Sequence, residues 1–115
     1  MEKLIAETME SYNMYIKKVP TGAEYIANNL REDNINDGLQ TIKDFSEGVI
    51  WLTEVSELLN RNGITAKLDI QKIKGFLIEI NEGLEKQDYV LVADMFEYEI
   101  APFFIELEQA MGMEQ

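Results

Sequence analysis

Apolar residues recur at alternating steps of three and four along nearly the whole chain. A helix turning 100° per residue gathers such positions onto one stripe, whereas a strand needs a period of two. Ile5, Met9, Tyr12, Ile16 and Val19 form a first stripe, and Ile35, Leu39, Ile42, Phe45, Val49, Leu52, Ser56 and Leu59 a second. Ile70, Ile73, Leu77, Ile80 and Leu84 make a third. Tyr89, Ala93, Phe96, Ile100, Phe103, Leu107 and Ala110 make a fourth, which holds its step pattern for three heptads. No segment alternates as a strand does. The spacing predicts an all-α fold, an antiparallel up-down four-helix bundle, in a single domain spanning residues 1–115. A chain of 115 residues buries enough surface to need no disulfide or metal staple.

The punctuation between stripes places the helix ends. Pro20-Thr21-Gly22 interrupts the first stripe. Proline disfavours helix at the residue before it, and Thr21 with Glu24 has capping-box spacing. The first helix, Met1 to Arg31, is therefore expected to break or kink near Pro20 and restart through Ile26 and Leu30. Arg31-Glu32-Asp33-Asn34 is a short polar connection. Asn62-Gly63 followed by Ile64 is a left-handed helix stop, Asp69 to Lys86 spans the third helix, and Asp88 caps the fourth. Displacing the chain by 54 positions sets Ile26 on Ile80, Leu30 on Leu84 and Asn34 on Asp88, which two similar hairpins would give and which heptad registers also give by chance.

Composition removes whole classes of chemistry. With Cys 0 and His 0 there are no thiolate metal sites, no cysteine nucleophile and no imidazole base. The net charge of −12 argues against nucleic acid and anionic membrane as partners. Most of that charge is C-terminal: residues 76–115 hold ten acids and one base, residues 1–75 twelve acids and nine bases. The longest apolar run is the five residues Tyr89 to Ala93, which neither spans a bilayer nor reads as a signal peptide, so a cytoplasmic location is expected.

Two acidic patterns touch on metal or acid–base chemistry. Asp33, Asp37, Gly38 and Asp44 occupy positions one, five, six and twelve of a calcium loop, but Ile35 would stand at position three with no oxygen to give. A polar turn running into a helix N-terminus explains the same residues. Glu79, Glu82, Glu85, Asp94 and Glu97 have helical spacing, yet a carboxylate-bridged metal bundle also needs histidines. Solvated faces account for them. No phosphate-cradling glycine loop or nucleophile elbow is present, so no catalytic residue, metal or cofactor is expected.

The second and fourth helices are apolar over more than one face. Trp51, Val55 and Leu58 form a ridge apart from the core stripe, with Trp51 and Leu58 nearly opposite Val49. On the fourth helix Leu91, Met95, Tyr98, Pro102 and Ile105 make a second stripe, and Phe104 lies beyond both. Either the first helix covers the extra ridges, or they bind another chain, including a second copy of this one. A lone Trp off the core face keeps the interface reading open, since Trp is enriched there. Pro102 should bend the fourth helix, and Gly48 holds the matching place in the second.

The run from Gln87 to Pro102, with its Asp88-Tyr89, Ala93-Asp94 and Glu97-Tyr98-Glu99 groups, resembles a segment of small, uncharacterised all-helical proteins of Gram-positive bacteria. That resemblance implies an all-helical fold and carries no activity. In size, acidity and helicity the chain is also similar to flagellar and type III export chaperones, which implies that the apolar ridges receive a client's amphipathic helix. The expected role is a non-catalytic adaptor or chaperone-like bundle whose acidic surroundings favour a basic partner. The partner-binding residues are Trp51, Val55 and Leu58, or Leu91, Met95, Tyr98 and Ile105. The alternatives are a homo-oligomer with no client and a carboxylate-based metal-binding or hydrolytic bundle.

Overall fold

A computed structural model describes residues 2–112, which form helices joined by two tight turns and an irregular connection over residues 64–69. Helix α1 spans Glu2–Arg31, α2 Ile35–Arg61 and α3 Ile70–Glu85. The fourth helix runs over 89–110 in three parts: α4 at Tyr89–Met95, a wider π-helical turn at Phe96–Ile100, and α5 at Ala101–Ala110.

Helix α1 is unbroken through Pro20, so of the expected break or kink the break is absent. Pro20 leaves the Ile16 carbonyl without its usual donor, at about 3 kcal/mol for a helix interior. On the two sides of it Ile16, Val19, Ala23 and Ile26 are all core residues. Burying each large apolar side chain returns roughly 1.5–3 kcal/mol, so packing outweighs the proline. Thr21 and Glu24 therefore lie within the helix and do not open a new one.

The other ends follow the sequence closely. Gly63 at φ 79° and the bonds Ile64 N to Leu59 O (2.9 Å) and Gly63 N to Asn60 O (3.2 Å) close α2 in a Schellman turn. Asp69 and Asp88 each accept a bond from the backbone N–H three residues on, Lys72 and Leu91. The would-be calcium loop is a turn at Asp33 that winds directly into α2.

Asp33 and Gln87 both adopt left-handed backbone, at φ 65° and 53°. They lie 54 positions apart, the displacement that aligns the halves. Each closes a helix with the same long bond, Asn34 N to Asn29 O and Asp88 N to Gly83 O. Gly38 meets Leu30 in the first hairpin, and Gly83 meets Val92 in the second. Thus each hairpin uses a glycine to bring its helices close.

Helix α1 is the spine. It packs on α2 and on every part of the 89–110 helix, while α3 leans chiefly on α4. The molecule measures 46 × 28 × 20 Å, its long dimension matching about 45 Å for a 30-residue helix. Edge-to-face pairs Phe45–Phe96 and Phe76–Phe103 tie the fourth helix to α2 and α3.

The fourth helix departs from its expected stripe. Val92, Phe96, Ile100 and Phe104 are each 0% exposed, three steps of four in succession. Phe104, expected off the core, is fully buried; Phe103 is half-buried and Ala110 exposed. The π turn is the cause, since it adds one residue and rotates all that follows by about 100°. The Ala101 N–H reaches back five residues to the Phe96 carbonyl, immediately before Pro102, which has no N–H to give.

Candidate partner-binding groove

The outer seam between α1 and α2 carries two facing stripes at heptad spacing. On α1 they are Leu4, Thr8, Ser11, Tyr15, Lys18 and Gly22; on α2, Asp44, Glu47, Trp51, Glu54 and Leu58. Two hollows open along the seam. One, of about 280 Å³, lies among Leu4, Ile5, Thr8, Leu58, Leu59 and Asn62. The other, of about 220 Å³, lies among Tyr15, Lys18, Gly22, Thr41, Asp44 and Phe45. Both fall below the ~300–1,000 Å³ of small-molecule sites and suit single apolar side chains instead. Leu4 and Leu58 are 64% and 48% exposed at the first hollow, an uncovered apolar pair.

An aromatic wall separates the hollows. Tyr15 meets Trp51 edge to face, with centroids 6.2 Å apart. Gly48 makes the contact possible: a Cβ there would stand 1.7 Å from the Tyr15 hydroxyl. Burial and the nearby Asp44 carboxylate raise the Tyr15 phenol above its ordinary pKa. Asp44, Glu47 and Glu54 give the α2 flank its charge, and Lys18 is the base on the facing stripe. Deeper in, the Tyr12 hydroxyl bonds the buried Ser56 hydroxyl at 2.6 Å.

The residues singled out for partner binding separate into two groups. Leu58, Leu91, Tyr98 and Ile105 are exposed, and Trp51 is half-buried against Tyr15. Val55 and Met95 are core residues, 6% and 1% exposed, and no partner reaches them. Val55 is covered because α1 packs along its flank of α2, as the Tyr15–Gly48 and Tyr12–Ser56 contacts mark. Met95 is covered because α4 packs against both α1 and α3. The ridge on the fourth helix is therefore interrupted at Met95 and that on α2 at Val55, while the two hollows lie on the α1–α2 seam.

Sequence spacing does not reveal Arg31. It ends α1 and pairs with Asp94 at 2.7 Å and with Glu97, while its guanidinium lies 5.8 Å from the centre of the Tyr98 ring. The two carboxylates raise the Arg31 pKa further, fixing its charge. This clamp sits on the Asp94 and Glu97-Tyr98 groups of the segment singled out in the sequence. Its partners are more than sixty positions from Arg31, beyond any local signal. Tyr15 fell on no stripe read from the sequence, and Gly48 was read only as the counterpart of Pro102.

Among the described residues no three carboxylates gather as metal ligands, and no helix is long and apolar enough to cross a membrane. The profile of the family described as Domain of unknown function (DUF8042) matches residues 7–110. No curated protein and no solved structure matches the chain.

Proposed function

We propose that this chain, which belongs to the DUF8042 family, is a non-catalytic protein-binding helical protein, an adaptor or export-chaperone-like protein of the cytoplasm that buries a partner's amphipathic helix. The observation that carries this reading is the apolar groove on the α1–α2 seam, where Leu4 and Leu58 flank an open hollow beside Trp51. An apolar groove between two helices is the common receptor for a third. The reading takes the four helices as an antiparallel up-down bundle, supported by the cross-helix pairs Tyr12–Ser56, Phe45–Phe96 and Arg31–Asp94.

The test compares wild-type protein with Leu58→Asp as bait in extract of its own host, followed by direct binding of any recovered protein. A partner that binds the purified wild type directly and loses at least tenfold in affinity for the variant is the expected result. Absence of any such partner across growth conditions rejects the reading. So does a concentration-independent dimer that already buries Trp51, seen by light scattering and fluorescence.

A further inference from the structure

Resting on that reading, we infer that the occupant of the α1–α2 seam is a basic amphipathic helix of about four turns, anchored at both hollows and crossing the Tyr15–Trp51 wall. Three observations converge on it. The facing stripes on α1 and α2 keep heptad spacing from Leu4 to Gly22 and from Asp44 to Leu58, the register a third helix needs to pack between two others. The hollows lie fourteen residues apart along α2, measured from Asp44 to Leu58, or roughly 21 Å at 1.5 Å per residue. Anchors spaced by two heptads on one helix would enter both.

Charge selects the sign of the partner. Asp44, Glu47 and Glu54 stand beside the hollows on α2, opposed on the facing stripe by Lys18 alone. Among the described residues the ion pairs all belong to Arg31, so these carboxylates have no ionic partner, and Asp44 accepts a bond from the Gln40 side-chain amide at 3.4 Å. A helix with Lys or Arg flanking its apolar stripe satisfies them, and one with Glu is repelled. A second copy of this chain is a poor occupant, because two molecules of charge −12 repel.

Trp51 is the chain's single tryptophan and reports the seam directly. The probes are a synthetic amphipathic peptide of about eighteen residues with a Leu stripe and Lys flanks, and its twin with Glu at every Lys position. The Lys peptide should shift Trp51 emission and bind at least tenfold tighter than the twin. Its affinity should fall with added salt, with Leu58→Asp, and with Glu47→Gln/Glu54→Gln together. Glu106→Gln/Glu108→Gln, on the fourth helix, should leave it unchanged. Equal binding of both peptides, lost in Leu58→Asp, overturns the charge assignment and leaves the seam as the binding site. Binding of the Lys peptide that survives Leu58→Asp, or weakens equally with the Glu106/Glu108 pair, overturns the seam as its place. No binding of either peptide overturns the inference, and a native partner that still requires Leu58 would show that the wider reading survives it.

Discussion

Tyr12 and Ser56 place a hydroxyl pair in an otherwise apolar core, 2% and 0% exposed. Removing one partner exposes the cost of the other. Ser56→Ala leaves the Tyr12 hydroxyl without an acceptor or donor and should cost about 1–3 kcal/mol in urea unfolding. Tyr12→Phe should cost less on that account, since the Ser56 hydroxyl can turn to the carbonyl four residues back. The double variant should lose less than the sum of the two singles; strict additivity would mean the bond contributes nothing. The same residues set an alkaline limit. Burial raises the phenols of Tyr12 and Tyr15 above the ordinary 10.0, so the folded state holds their protons more tightly than the unfolded one. Their contribution to stability is complete below pH 10.0 and is lost as pH rises from there through the folded-state pKa values. Unfolding midpoints followed upward from neutral pH should fall in that window, and Tyr15→Phe should lessen the fall.

The fourth helix shows how one turn sets the register of an element. Its π turn accommodates one residue more than an α-helix would, and Pro102 stands just beyond it. Deleting Glu99, an exposed member of the turn, together with Pro102→Ala should restore α winding and keep Phe104 in the core. That variant should stay within about 1 kcal/mol of the parent by thermal unfolding, whereas deleting the exposed Glu82 rotates part of α3 out of register and should cost several times more. On α2, Gly48→Ala should displace Tyr15 from Trp51, change tryptophan emission and cost about 1–3 kcal/mol; with Tyr15→Ala present it should be neutral or stabilising. Helix ends at Gly63, Asp69 and Asp88 were legible in the sequence because caps and stops are local chemistry. The π turn was not: a strict heptad pattern also fits Phe96, Ile100 and Phe103, and only three-dimensional packing chooses Phe104 instead. Continuity through Pro20 escaped for the same reason, a local breaker overruled by the core on both sides of it.

At the scale of the whole molecule, a charge of −12 is opposed by few ion pairs, those of Arg31 among the described residues. Added salt should therefore raise the thermal midpoint, by about 4 °C for each kcal/mol of repulsion screened. Arg31→Ala should lower stability by about 1 kcal/mol at low salt, with a smaller loss at high salt, because the clamp is partly solvated. The groove was only half legible at this scale. Sequence spacing showed Trp51 and Leu58 off the core face, but not that Leu4 and Tyr15 would face them from another helix.

That α1 serves as the spine bears on how the chain is made. Its strongest neighbours after α2 are the segments of the 89–110 helix, so its second flank has no partner until residues 89–110 have been synthesised. Until then the flank of α1 that meets the 89–110 helix lies bare on a nascent polypeptide, and a chain truncated before Tyr89 should be open to proteases and to holdases. The 89–110 helix is thus the one that closes the fold around α1.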